Sequence, residues 1–160
     1  LIEPLHGVLF EEPCKTLEEC LYVRQHTTLP MILDEVITDV NTMVRAYNAN
    51  GIDGVNIKIS KFAGLTGSKL VRDLADSLGL KVTIEDTWGG DLVTAAVSHL
   101  AASTKPEQVI TVSFMNDWTN EHIAGYQPRS KNGIGYVPAG PGLGVDVDEA
   151  ILGDPFLVSK

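Results

Sequence analysis

The sequence predicts a parallel α/β fold arranged as part of a (β/α)8 barrel, and three observations predict it. Short apolar runs alternate with helix-like segments at a period of about 25 residues, as parallel βαβ units do. The first three runs each close on a charged residue: Val8-Leu9-Phe10 on Glu11, Met31-Ile32-Leu33 on Asp34, and Val55-Asn56-Ile57 on Lys58. With the fourth run included, polar residues recur at the C-terminal ends of four consecutive strands, where barrel active sites form. An open sheet would instead bind its ligand at one switch point. No G-x-G-x-x-G or P-loop follows any strand.

Gly7–Phe10 reads as the first strand. Thr16-Leu17-Glu18-Glu19 is a capping box that opens a helix running to about Gln25. Pro30–Leu33 is the second strand, and Asp39 caps a helix to Ala49, which Asn50-Gly51 ends by the left-handed route. Gly54–Ile59 is the third strand. Leu70, Val71, Leu74, Ala75 and Leu78 fall at helical spacing over 68–78, and Gly79 stops that helix. Leu80–Ile84 is the fourth strand, Leu92–Ala102 the next helix and Val109–Phe114 the fifth strand. Beyond it the pattern changes. A polar, aromatic stretch over 116–127 precedes a Gly- and Pro-rich segment over 133–144, where Ile134, Tyr136 and Val137 suggest a strand and then a rigid turn. Two units are therefore expected: βα repeats over 1–128, with about five strands, and a closing segment over 129–160.

The 160 residues suffice for one domain with a real core. A net charge of −9 with no clustered Lys and Arg argues against nucleic acid as a partner. No run reaches the roughly 18 apolar residues of a membrane span. Cys14 and Cys20 have no metal-site spacing and read as free thiols in a reduced compartment, so a cytoplasmic protein is expected. The chain opens at Leu1, without a Met, inside what reads as a helix-to-strand approach, and is expected to be a piece of a longer protein.

Two carboxylates and an amine at the same end of successive parallel strands would share one mouth. Glu11 and Asp34 could supply two oxygen ligands to a hard cation such as Mg²⁺; salt bridges at a barrel rim are the competing reading. Glu12 and Glu35 follow them directly, and adjacent strand residues face opposite ways, so each doublet is expected to give one inward and one outward acid. Lys58 closes a buried run. In a desolvated, cationic mouth its pKa would fall enough for it to act as a base; a solvated Lys is the alternative. Lys61 reads as a salt-bridging or supporting residue beside the substrate. Asp86 could pair with a cationic substrate nitrogen, and Trp88 or Trp118 could pack on that cation, or simply pack at the rim. Gly89-Gly90 could present N–H groups to an anion or form a plain turn. Of the four histidines, only His122 is kept as a candidate; His99 reads as core or interface.

These strand ends resemble the enolase superfamily in its muconate-lactonizing subgroup. Phe10-Glu11-Glu12-Pro13 is similar to that family's "I-E-Q-P" strand end, and Leu33-Asp34-Glu35 to its "A-D-E". Asn56-Ile57-Lys58-Ile59-Ser60-Lys61 resembles "N-I-K-x-x-K", and Pro138-Ala139-Gly140-Pro141-Gly142-Leu143-Gly144 the closing "P-x-G-P-G-L-G". The resemblance implies the C-terminal part of a (β/α)7β barrel, with 129–160 returning toward an N-terminal capping domain outside this chain. It implies Mg²⁺ held by three acids, of which Glu11 and Asp34 are the second and third. It makes Lys58 one of two Lys that flank the substrate α-carbon, with Glu12, Glu35 and Asn56 in support. The reaction it implies is removal of the proton next to a carboxylate to give an enediolate. The "K-x-K" strand, the first metal acid and the capping domain have no counterpart in the sequence.

Asp86 with the nearby aromatics looks most like members acting on proline derivatives, the cis-3-hydroxy-L-proline dehydratases and the hydroxyproline- or proline-betaine epimerases. Dehydration of cis-3-hydroxy-L-proline is the expected reaction. Racemisation or epimerisation, a muconate-type cycloisomerisation and an inactive barrel fragment are the alternatives. The expected partner is a small-molecule carboxylate, in a homo-oligomer.

Overall fold

Five strands form one parallel sheet in consecutive order: β1 (Phe10–Glu11), β2 (Met31–Leu33), β3 (Gly54–Lys58), β4 (Lys81–Glu85) and β5 (Val109–Val112). Repeated right-handed crossovers in one direction give that order, whereas a doubly wound sheet reverses. The structure is a computed structural model that describes residues 6–155 and 157; the approach expected at Leu1 lies outside them. β1 is shorter than expected at its start, because pairing with the second strand begins where the Phe10 N–H meets the Pro30 carbonyl at 2.8 Å.

The crossovers are the capped helices. α1 (Leu17–Arg24) starts at Thr16, whose Oγ1 accepts from the Glu19 N–H at 3.3 Å and donates to the Glu19 carboxylate at 2.8 Å. α2 (Val40–Asn48) starts at Asp39, which accepts from the Thr42 N–H at 2.7 Å. It ends with Asn50 at φ 54° and the Gly51 N–H on the Ala46 carbonyl, a Schellman closure. α3 (Leu65–Ser77) begins one turn earlier than its apolar spacing suggests. Gly64, at φ 95°, stands at its N-cap, and a Cβ on Gly67 would lie 1.8 Å from the Phe62 carbonyl oxygen, so glycine is required in that first turn. α4 (Asp91–Ala102) follows β4. The closing segment stays out of the parallel sheet. After a 3-10 turn at Met115–Trp118 it forms a small antiparallel hairpin, β6 (Ser130–Lys131) and β7 (Ile134–Gly135), and then a single turn, α5 (Glu149–Leu152). The strand expected through Tyr136 and Val137 is thus confined to Ile134–Gly135.

Alternation along the strands sorts the chemistry. Met31, Leu33, Val55, Ile57, Val82 and Ile84 join one core with Leu17, Cys20, Met43, Ala46, Val71, Ala75, Val97 and Leu100 of the helices. With a period of two, Glu11, Asn56, Lys58, Thr83 and Glu85 then share the other face. Both cysteines are free thiols, and Cys20 Sγ donates to the Cys14 carbonyl at 3.4 Å. Among the described residues no helix is long and apolar enough to cross a membrane.

Gly54 sits where three strands close on one another. A Cβ there would lie 2.6 Å from Ile32 Cδ1 and 2.8 Å from the Lys81 carbonyl oxygen. Gly54→Ala is expected to lower the unfolding free energy by about 1–3 kcal/mol, read from urea denaturation; an unchanged midpoint would show that β2 and β4 yield there at no cost.

Candidate active site

The strand register brings the predicted residues to one rim. Lys58 pairs laterally with Glu85, and Leu33 with Val55, so Asp34 and Asn56 follow at the same level. Asn56 is buried and central: its Nδ2 donates to Glu11 Oε1 at 2.8 Å, and its Oδ1 accepts from the Thr83 hydroxyl. That amide fixes the orientation of Glu11 from a strand two places away.

Asp34 is buried and receives two ammonium groups. Lys58 Nζ lies 2.6 Å from Oδ2 and Lys61 Nζ 3.1 Å from Oδ1. Lys61 also donates to the backbone carbonyls of Asp34 at 2.7 Å and Asn56 at 3.2 Å. Lys58 further pairs with Glu35 and lies 3.8 Å from Glu85. Burial works to lower the Lys58 pKa, but the hydrogen bonds and charges of Asp34 and Glu35 outweigh it and push the ammonium above its ordinary range. The mouth is therefore anionic, not cationic as expected, and it holds Lys58 protonated. Lys61 shifts the other way. Burial dominates there, and its pKa falls below the ordinary range despite Asp34. The two lysines on one carboxylate thus differ because Lys58 hydrogen-bonds Glu35 as well as Asp34, whereas burial outweighs the charges of Asp34 and Glu35 at Lys61.

The second acid of each doublet is tied to the rim by hydrogen bonds. Glu12, at φ 26°, turns toward the β2–α2 loop, where its Oε2 accepts from the N–H groups of Asp34 at 2.6 Å and Val36 at 3.2 Å. Glu35 is solvent-exposed yet reaches back to Lys58. The second acid of each pair therefore holds the rim together.

Asp86 is also more committed than expected. Its carboxylate accepts from the Ser60 N–H at 3.2 Å, from the Ser60 hydroxyl and from the Thr87 N–H at 2.7 Å, and it is 6% exposed. It ties the end of β4 to the residue two beyond Lys58, and the three donors occupy most of its roughly four acceptor sites. Trp88 and Trp118 do stand open, 58% and 72% exposed, with ring centroids 6.3 Å apart. His122 bonds Asp91 at 3.1 Å and stacks on Tyr126, and His99 Nε2 meets the Leu143 carbonyl at 3.0 Å, anchoring the Gly- and Pro-rich segment. A cavity of about 730 Å³ runs along β5 between α4 and the hairpin; Trp118 lines it, while Glu11, Asp34 and Lys58 do not.

The donor chemistry fits a divalent cation in part. Glu11 and Asp34 are hard oxygen donors on adjacent strands. The charges of Asp34 and Glu11 add to burial in holding the Glu85 carboxyl above its usual range, against the Ser113 hydrogen bond and Lys58, as in a pocket with an excess of acid. Among the described residues, no group of three or more His, Cys, Asp or Glu is placed to hold a metal ion. Glu11 and Asp34 remain two candidate oxygen donors, and water or substrate oxygens commonly complete a shell of that kind.

Asp34 also sets a pH response. Burial raises its carboxyl pKa, but Lys58 and Lys61 outweigh this and leave it below the ordinary value of about 3.9. The stability it contributes is present above that value and lost as pH falls through its folded pKa. Asp34→Asn should therefore flatten part of the acid limb of a stability-against-pH curve; parallel limbs would show that the pairing is energetically neutral.

A profile of the family described as Enolase C-terminal domain-like matches residues 1–151. The chain is 45% identical over 148 residues to a cis-3-hydroxy-L-proline dehydratase of Roseibium aggregatum, covering 92% of this chain and 40% of that one. It superposes with a TM-score of 0.91 and 33% identity on a mandelate racemase/muconate lactonizing enzyme from Roseovarius nubinhibens ISM, covering 98% of this chain and 42% of that one. An enolase-superfamily member from the same organism, solved in complex with magnesium, gives a TM-score of 0.88 at 33% identity, with 93% and 41% covered. The chain thus spans about two fifths of the length of the relatives it matches.

Proposed function

The chain belongs to the Enolase C-terminal domain-like family, and from that premise we propose that it forms part of a magnesium-dependent enzyme that removes the proton α to a carboxylate, with cis-3-hydroxy-L-proline as substrate and water as leaving group. The observation that carries the reading is the buried Asp34 carboxylate facing Lys58 Nζ at 2.6 Å, with Glu11 on the neighbouring strand held by Asn56, at the C-terminal ends of parallel strands. The likeness to a cis-3-hydroxy-L-proline dehydratase supports the choice of substrate.

Glu11 and Asp34 would hold Mg²⁺, which when bound supplies positive charge against the substrate carboxylate as the α-proton leaves and draws negative charge away from Lys58. Asn56 keeps Glu11 aimed, and Lys61 fixes the backbone that carries Asp34. Lys58 moves the proton at Nζ. The α C–H bond breaks, its electron pair forms the ring double bond, and the 3-hydroxyl departs as water after taking up a proton. Glu35 and Glu85 stabilise the ammonium that Lys58 becomes. Trp88 and Trp118 offer their faces to the ring ammonium. Asp86 acts from behind, holding the β3 and β4 ends in register through Ser60.

The test is to incubate the intact protein with cis-3-hydroxy-L-proline and Mg²⁺ in D₂O and follow the substrate by proton NMR. Loss of the 3-hydroxyl to give a cyclic unsaturated amino acid supports the dehydratase reading. Inversion at the α-carbon with the hydroxyl retained would replace it with an epimerase. Unchanged substrate with no α-deuterium overturns it.

A further inference from the structure

We propose that Asp91 is a positioning residue for the tryptophan pair, fixing the distance between Trp88 and Trp118 through one buried carboxylate. Asp91 is the first residue of α4, and its side chain is 0% exposed. Its donors all come from the loop after β5. Oδ1 accepts from Asn116 Nδ2 at 2.9 Å and faces His122 Nδ1 at 3.1 Å, and Oδ2 accepts from the Ala124 N–H at 2.8 Å. Asn116, itself fully buried, passes the constraint on by donating to the Pro128 carbonyl, while its own N–H donates to Thr94 Oγ1 at 3.2 Å.

The placement along the chain gives this network its consequence. Trp118 lies two residues beyond Asn116, in the same 3-10 turn, and Trp88 three residues before Asp91. Each indole is thus attached to one end of a single set of hydrogen bonds. Gly89 leaves the Trp88 side little slack, because a Cβ there would lie 2.4 Å from Val93 Cβ on α4. On the other side Asp117 accepts from the Tyr126 hydroxyl at 2.9 Å and from Ser130, closing the loop around Trp118. The two rings themselves are largely exposed, with centroids 6.3 Å apart, and Trp118 also lines the cavity along β5. Removing the Asp91 charge weakens several anchors at once, since hydrogen bonds to a charged group are the stronger ones.

The catalytic consequence rests on the function proposed above, but the spacing itself does not, and two readouts separate them. Trp88 and Trp118 are the two tryptophans of this sequence, and indoles this close give an exciton couplet in the far-ultraviolet circular dichroism that Trp118→Phe removes. Asp91→Asn in the intact protein is expected to cut that couplet by about half or more and to raise KM for cis-3-hydroxy-L-proline about tenfold with kcat nearly unchanged, the effect of losing roughly 1.4 kcal/mol of substrate binding. His122→Ala, which removes one donor at a partly exposed position, should give a smaller loss of the same couplet. It supplies the reading if Asp91→Asn does not fold. A folded Asp91→Asn protein with an unaltered couplet, or, where that variant does not fold, an unaltered couplet in His122→Ala, overturns the proposal. A couplet that falls in an enzyme inactive on every proline derivative would overturn the substrate reading and leave the positioning role standing.

Discussion

Replacing Lys58 with Ala is expected to lower kcat on cis-3-hydroxy-L-proline by roughly 10²–10⁴-fold, with Mg²⁺ binding retained. The reason is geometric. Of the two lysines described at the mouth, Lys61 is tied to the Asp34 carboxylate and two backbone carbonyls, whereas Lys58 Nζ meets the carboxylates of Asp34 and Glu35, the first of which would turn to the cation. The fold should survive, since Asp34 keeps Lys61 as its counter-charge. Steady-state kinetics and a Mg²⁺ titration on the same preparation check both halves. A Lys58→Ala enzyme that retains wild-type kcat would remove Lys58 from the chemistry, whatever its position.

Asp34→Asn is the second large effect, and it acts on two properties. On the proposed function it removes one of two oxygen ligands, so Mg²⁺ affinity measured by calorimetry should fall by at least about tenfold, the equivalent of 1.4 kcal/mol. It also breaks the ion pairs of two enclosed ammonium groups, a change of about 3 kcal/mol in unfolding free energy when a partner is taken from a buried pair. Glu35 and Glu85 remain beside Lys58, which places the expected loss at the low end of such changes. Wild-type Mg²⁺ affinity in a folded Asp34→Asn protein would mean that the cation sits elsewhere.

The barrel architecture and the rim were legible because burial imposes a period of two on each strand. Met31, Leu33, Val55 and Ile57 had to face helices, which left Glu11, Asn56 and Lys58 the opposite face. The caps at Thr16 and Asp39 were legible because an N-cap is a local hydrogen bond between residues three apart. The start of α3 was not, since Gly64 offers no side-chain acceptor and the first turn depends on how closely Gly67 approaches Phe62. The direction of the Lys58 shift was hidden for a different reason. It depends on Asp34 and Glu35, at the end of the neighbouring strand, meeting one ammonium, and spacing along the chain carries no distance. The ties of Asp86 were hidden as well, because its partner, Ser60, lies on another strand's loop. The anchoring by Asp91 carries no local signal. Its donors come from 25 to 33 residues downstream, and an Asp after Gly-Gly at a helix start looks like ordinary first-turn charge.

The most direct test follows hydrogen at the α-carbon. L-Proline lacks the 3-hydroxyl and cannot lose water, so abstraction alone would appear as deuterium gained from D₂O. With the intact protein and Mg²⁺, α-deuterium should accumulate in L-proline, stop when the metal is chelated, and be lost in Lys58→Ala. Exchange that persists after chelation, or that proceeds unimpaired in Lys58→Ala, would contradict a mouth in which Glu11 and Asp34 hold the cation and Lys58 moves the proton.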